Sequence, residues 1–186
     1  MPRTVAERAD ALPALGEAFR EHGFEGASLA RIGERTGLGK GSLYHFFPGG
    51  KEEMAAAVLA EIDAWFEANV FMPLREDADA ARAIARMFKA VDDYFRSGRR
   101  VCLIGALALN DSRDLFARRI RGYFAEWTEA LADALVRAGH NRRRAHALAE
   151  ETLAAIQGAL VLARAMHDPA VFQRALARCK RRLLSD

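Results

Sequence analysis

Histidine, cysteine and carboxylate side chains are the usual carriers of catalysis and metal binding, and in this sequence they do not form an obvious cluster. The two cysteines, Cys102 and Cys179, are 77 positions apart, which predicts neither a disulfide framework nor a zinc site. The five histidines are scattered: His22, His45, His140, His146 and His167. We therefore expect no catalytic residues, no metal and no cofactor, and so a protein that is not an enzyme.

One chemical alternative stays open, a thiol sensor built on Cys102. Arg99 and Arg100 precede this cysteine by three and two positions. Nearby cations stabilise a thiolate, although buried structural thiols are commoner than reactive ones.

A denser group of polar side chains lies near residue 45. Lys40 and Ser42 carry donors suited to base edges and phosphates, while Tyr44 and His45 carry a hydroxyl and a ring N–H suited to phosphate oxygens. Lys51 follows a Pro-Gly-Gly break, at the expected start of a helix, where free backbone N–H groups also suit a phosphate. These groups suit contact with nucleic acid. Solvated surface is the alternative, and for Tyr44 a packed aromatic ring.

Two short helices should position these groups. Ser28 is well placed to cap a helix over 29–35, and Thr36-Gly37-Leu38 then turns the chain into a helix over 40–46. This is the helix-turn-helix arrangement, in which the second helix lies in the major groove of DNA. Ser28 and Thr36 are weaker candidates for DNA contact, since such residues more often cap helices or form turns.

The net charge does not by itself indicate a DNA-binding segment. The chain carries +3 overall, yet residues 1–60 hold 7 Lys/Arg against 8 Asp/Glu, and residues 140–186 hold 9 against 4. The basic excess therefore lies at the C-terminal end. Any DNA affinity of the N-terminal segment must come from individually placed groups rather than from overall charge.

Composition indicates an all-α protein. The chain of 186 residues is 51% hydrophobic, has five prolines and shows no long β-branched run. No apolar run is long enough to span a bilayer, so we expect no membrane partner. The first residues lack the apolar core of a signal peptide, so we expect a cytoplasmic protein.

Several linked segments resemble the DNA-binding domain of the TetR family of bacterial transcriptional regulators. They are Phe19-Arg20-Glu21-His22-Gly23-Phe24, Ser28-Leu29-Ala30-Arg31-Ile32, Gly37 to Phe47, and Lys51-Glu52-Glu53-Met54. The resemblance implies an N-terminal three-helix DNA-binding domain over 1–50 and a helical-bundle domain for effector binding and dimerisation over 51–186. Helix 51–69 would connect them. It also implies a homodimeric repressor that binds a pseudo-palindromic double-stranded operator.

The segments 44–53, 102–109 and 157–164 resemble the lincomycin-repressor-like branch of this family, which is associated with multidrug and flavonoid-type effectors. Aromatic and aliphatic side chains of the second domain serve equally well as plain core, but they could leave a pocket for a small apolar effector. The residues expected to line it are Trp65, Phe88, Phe95, Cys102, Leu103, Leu107, Phe124 and Trp127.

The last two predicted helices, over 142–167 and 169–184, carry small residues that allow close helix packing. Two copies paired about a two-fold axis would form a four-helix dimer interface, as in the resembled family. The residues expected there are Ala155, Gly158, Ala159, Leu162, Phe172 and Leu176. Another alternative is a helical protein-interaction module without DNA binding.

Overall fold

The computed structural model describes residues 7–184, and every regular element in that range is helical. The all-α class expected from the composition is confirmed. Within this range the chain forms ten α-helices, a π-helical turn at Glu67–Phe71 and a 3₁₀ turn at Arg96–Gly98. The α-helices are α1 (Arg8–Gly26), α2 (Leu29–Thr36), α3 (Lys40–Phe46), α4 (Gly50–Phe66), α5 (Met72–Glu76), α6 (Ala80–Tyr94), α7 (Leu103–Leu107), α8 (Arg113–Arg137), α9 (Arg142–Ala165) and α10 (Ala170–Leu184).

The described residues form two compact units, and the first contains the chain up to Ala64 together with Leu103–Ile120. The Phe24 ring lies 6.1 Å from that of Phe19 and 5.5 Å from that of Phe116, between centroids. The core of this unit consists of large side chains that are fully buried: Leu15, Phe19, Ile32, Leu43, Phe47, Met54 and Leu59. Their burial fixes α2 and α3 on α1 and α4.

The turn between α2 and α3 is built as the sequence predicts. The Ser28 hydroxyl accepts the backbone N–H of Arg31 at 3.3 Å and caps α2. Gly37 has a φ of +73°, a conformation that favours glycine, and its N–H donates to the Gly33 carbonyl at 2.8 Å. A Cβ on Gly33 would lie 2.9 Å from the carbonyl oxygen of Leu38. The helix-turn-helix prediction is confirmed, with helix bounds that differ by one residue at most.

The helical path after α4 runs further than the sequence suggested. The connecting helix was expected to end at residue 69, but the Met72 N–H donates to the Glu67 carbonyl in the π-helical turn and α5 follows directly. Pro73 lies in the first turn of α5, directly after the π-helical turn. The helical path ends instead at Asp77, which has extended backbone angles.

The second unit comprises Trp65–Cys102 and the described residues from Arg121 onward. Aromatic rings form its centre around Phe66, whose centroid lies 4.9 Å from Tyr123, 5.3 Å from Trp127 and 6.3 Å from Phe95. The Trp127 indole N–H donates to the Met87 sulfur at 3.5 Å, so its polar atom has a partner in the core. α10 packs against both α6 and α9.

Gly98 allows α10 to approach the end of α6 closely. Its φ is +91°, and a Cβ there would lie 2.7 Å from the Cβ of Phe172 and 3.1 Å from the carbonyl oxygen of Pro169. The Phe172 ring then packs edge-on against Phe95 at 6.1 Å. A glycine is therefore needed at position 98 for the start of α10 to pack this closely.

Across residues 7–184, no helix has both the length and the apolar character that a membrane span requires.

Candidate nucleic-acid interface

α3 presents most of the predicted contact residues on one open side. Lys40, Ser42 and His45 are exposed, and Tyr44 retains 42% of its exposure. Leu43 is fully buried and anchors the helix from the opposite side. The short helix therefore holds its polar side chains outward, where a DNA duplex can reach them.

The Tyr44 ring is not buried in the core, but it does lie beside the neighbouring helix. Its Cε1 atom is 3.7 Å from the place where a Cβ on Gly50 would stand, so the ring lies beside the start of α4. Gly50 has a φ of +68°, and its N–H donates to the Phe47 carbonyl at 2.9 Å. The ring is thereby steadied at the junction of α3 and α4 while much of it remains accessible.

Lys51, in the first turn of α4, is half-buried against the end of α1. Its Nζ lies 4.6 Å from the centroid of the Phe24 ring and 3.4 Å from the carbonyl oxygen of Glu25. The ammonium group is thus held in place by a cation–π contact and a backbone acceptor. A phosphate would meet a positioned charge rather than a freely moving side chain.

The Glu25 carboxylate, next to this carbonyl, also has defined partners. Burial favours its neutral form, but hydrogen bonds from its own backbone N–H and from that of Ser112, at 2.8 Å, outweigh burial, and the nearby Lys51 charge adds to them. Together they hold the pKa of Glu25 below its usual value. Glu25 therefore ties the loop before α8 to the end of α1 within the first unit.

The acidic residues at the start of α4 are partly neutralised. Glu53 accepts the backbone N–H of Gly49 at 2.8 Å and pairs with Arg8 at 2.7 Å. Arg8 also lies over the Phe47 ring, 4.8 Å from its centroid. The sequence analysis did not identify this network, although an acidic residue in a first helical turn is a recognised signal for an N-terminal cap.

The structure corrects the assignment of Thr36 and clarifies that of Ser28. The Thr36 side chain is buried, and its hydroxyl donates to the Ile32 carbonyl at 2.8 Å and accepts the Leu38 N–H at 3.2 Å. Because the hydroxyl is buried and engaged twice, Thr36 holds the turn and does not present a group to DNA. Ser28 is exposed and caps α2, so its hydroxyl still has a donor to offer.

The residues predicted to line an effector pocket divide between the two units. Trp65, Phe95 and Trp127 belong to the aromatic centre of the second unit, and Phe88 is buried in α6. Phe124 is half-buried and Cys102 buried in the same unit, whereas Leu103 and Leu107 belong to the first unit. The pocket itself stays a prediction.

The predicted dimer residues do not all lie on one exposed face. Phe172, Leu176 and Ala159 are buried within their own chain, because they pack into the second unit, so they are not available to a second copy. Gly158 and Leu162 are exposed and Ala155 is half-buried. The exposed face of α9 also contains Ala154, one of the small residues that allow close helix packing, and two residues that the sequence did not single out, Val161 and Ala165.

The chemistry that would favour an enzyme or a thiol sensor gains no support from the structure. Among residues 7–184 there is no group of three or more histidine, cysteine or carboxylate side chains that could hold a metal ion. Cys102 is only 6% exposed, and burial raises the pKa of Cys179. Cys102 therefore lacks the accessibility, and Cys179 the lowered pKa, that a reactive cysteine requires.

Comparison with known proteins agrees with this geometry. Residues 12–58 match the family model of bacterial regulatory proteins of the tetR family, and residues 80–178 match that of the LmrA/YxaF-like transcriptional regulator C-terminal domain. The HTH-type transcriptional regulator LmrA of Bacillus subtilis is 26% identical over 155 residues, which are 81% of this chain and 82% of the relative.

Solved structures show the same fold over nearly the whole chain. A TetR transcriptional regulator from Legionella pneumophila has a TM-score of 0.79 at 20% identity and covers 97% of this chain and 98% of its own. A cysteine mutant of the TetR-family regulator CifR, described as a complex with 26-bp operator DNA, has a TM-score of 0.70 at 24% identity and covers 94% and 98%. These family members are transcriptional regulators, which disagrees with the alternative of an interaction module without DNA binding. The chain belongs to the TetR family of DNA-binding transcriptional regulators, with a C-terminal domain of the LmrA/YxaF type.

Proposed function

We propose that this regulator is a cytoplasmic homodimeric repressor that binds a pseudo-palindromic operator and releases it when a small apolar effector binds. The observation that carries this proposal is that the chain has two exposed surfaces of different kinds. α3 presents Lys40, Ser42, Tyr44 and His45 outward, and α9 presents an apolar face that its own chain leaves uncovered. The first surface suits one half of a palindromic site, and the second suits a second copy.

The α9 face has the composition of a helix-packing surface. Val161 is 61% exposed, Leu162 51% and Met166 62%, which is unusual for large apolar side chains grouped on adjacent turns. Ala154, Gly158 and Ala165 lie beside them and are exposed too. Small residues let two helix backbones approach, and the larger side chains fill the space around them. An isologous contact between two α9 helices would cover this face.

The domain division proposed for function follows the sequence. Residues 1–50 bind the operator, residues 51–186 bind the effector and form the dimer, and helix 51–69 connects the two. The aromatic centre of the second unit, which includes Trp65, Phe95 and Trp127, supplies the apolar surroundings that an apolar effector would need. Opening these packed rings around a ligand would change the position of the last residues of α4, which include Trp65.

The operator hypothesis can be tested by selecting duplexes from a random pool with the full-length protein. We expect an enriched inverted repeat, because two α3 helices related by a two-fold axis read the same half-site twice. Gel shifts at moderate salt with the selected duplex and a scrambled one of equal length then measure specificity. Enrichment of no sequence, or equal binding to both duplexes, would contradict the proposal.

A further inference from the structure

Gly41 is an exposed glycine in the middle of the surface that α3 offers to DNA. It has helical backbone angles, since it is not among the glycines with positive φ. A Cβ built at this position would have no atom within 4 Å beyond the adjacent residues and the backbone of its own helix. Neither conformation nor space inside the protein therefore requires a glycine here.

Two other glycines of the helix-turn-helix, Gly33 and Gly37, are needed by the fold. Gly37 has a φ of +73°, and a Cβ on Gly33 would lie 2.9 Å from the Leu38 carbonyl oxygen. Gly41, the second residue of α3, meets no such requirement, and glycine is a poorer helix former than alanine. α3 has only seven residues, so it can least tolerate a poor helix former.

The neighbours of Gly41 show what lies on its open side. Lys40 and Ser42 flank it and are exposed, and Tyr44 and His45 follow within the next turn. The missing side chain thus forms a gap within the row of polar groups, at the place where the backbone itself is the outermost part of the helix. The missing side chain lets another surface approach the α3 backbone at that point.

We propose that Gly41 determines specificity by setting the closest approach of α3 to the base pairs. A methyl group at this position would hold the helix away from the major groove, lengthening the contacts that Lys40 and Ser42 make with base edges. The proposal rests on the operator binding proposed above. It assigns to Gly41 a steric role in sequence reading, whereas the phosphate-contacting groups set affinity for any sequence.

If Gly41 has this steric role, Gly41→Ala should reduce recognition of the operator without reducing the stability of the protein. Gly41→Ala adds only a methyl group into open space, so the variant should fold and unfold at a temperature equal to or above that of the wild type. No charge is lost, so the slope of log affinity against log salt should not change. Affinity for the selected operator should fall about tenfold for each half-site, the scale of one good base contact, and so about a hundredfold for the dimer, while affinity for a scrambled duplex should stay the same.

Gly122→Ala provides the matched control. Gly122 is an exposed glycine inside α8, and a Cβ there also has no atom within 4 Å. The control should gain thermal stability in the same way but bind the operator as the wild type does. Full-length wild type, Gly41→Ala and Gly122→Ala are compared by thermal unfolding and by fluorescence anisotropy on the selected and scrambled duplexes at two salt concentrations.

Loss of operator affinity in Gly41→Ala alone, with unfolding temperature and scrambled-duplex affinity preserved, supports the proposal. Equal operator affinity for Gly41→Ala and wild type would overturn it and leave operator binding intact. An equal loss on both duplexes would also overturn it, since the residue would then act on general DNA affinity. Failure of the wild type to select any sequence would overturn operator binding and this inference together.

Discussion

Lys51 illustrates at the scale of single residues how a nearly neutral surface can bind DNA. Residues 1–60 carry no net basic charge, so each cation must be placed well to matter. The contacts of Lys51 with Phe24 and the Glu25 carbonyl position its charge at the start of α4. The sequence indicated the charge and its place in the chain but could not indicate these contacts, because they join residues 26 or more positions apart.

Replacing Lys51 with alanine should weaken binding to every duplex. Each lost phosphate contact should reduce the slope of log affinity against log salt by about 0.9, or about 1.8 for a dimer. Lys89→Ala is the control, because it removes an equal charge from an exposed lysine of α6 that is paired with Asp93. Binding is measured by anisotropy at four salt concentrations. A slope unchanged in Lys51→Ala would exclude a phosphate contact by this lysine.

At the scale of elements, the N-terminal helices were predicted well because their ends are encoded locally. Ser28 and Gly37 each act within a few residues, so the bounds of α2 and α3 could be read from short segments. The end of α5 could not be predicted in this way. A proline usually indicates the end of a helix, and the sequence does not reveal the π-helical turn that leads into Pro73. Thr36 was a candidate for DNA contact because its burial could not be predicted either. That burial depends on how α2 and α3 pack together.

The connection between α5 and α6 depends on Asp77. Its carboxylate accepts two N–H groups from Arg82, at 2.6 and 3.0 Å, and the backbone N–H of Asp79 at 3.0 Å. The hydrogen bonds from Arg82 come first in lowering the pKa of Asp77 from 3.8 to about 2. Since the folded pKa lies below the unfolded one, this stabilisation is present above about pH 4 and is lost as pH falls toward 2.

Asp77→Asn should therefore unfold at a lower temperature than wild type at pH 7, and the difference should shrink between pH 4 and pH 2. Asp114→Asn is the control, because Asp114 is a highly exposed residue of α8. Thermal unfolding followed by circular dichroism across this pH range measures the effect. A difference that stays constant from pH 7 to pH 2 would show that the charge of Asp77 is not its source.

At the scale of the whole molecule, α9 and α10 carry more apolar residues than the second unit can bury. Sequence periodicity could not tell which of them turn inward, because both helices have small and large apolar residues on more than one side. The structure separates them, with Phe172 and Leu176 inside and Val161 and Leu162 outside. The fold class and the order of helices were thus predictable, whereas the exposed apolar face of α9 was not.

A charge placed on the α9 face should separate the proposed dimer. Leu162→Glu should lower the mass in solution from twice the 20.5 kDa of the chain to a single chain, and should weaken operator binding because one copy reads only one half-site. Leu115→Glu, at a leucine of α8 that is 56% exposed, tests the same substitution away from this face. Sedimentation equilibrium gives the mass. A wild type that sediments as a monomer would contradict the proposed dimer.

Gly98 constrains how this protein can vary over evolutionary time. A φ of +91° excludes most side chains, and the Phe172 Cβ excludes the rest by proximity, so two independent constraints close the position. Replacing Gly98 would require a change in the backbone of the turn and a shift of α10 at the same time, and a single substitution cannot produce both. Sequence drift in this part of the molecule must therefore proceed around a fixed glycine.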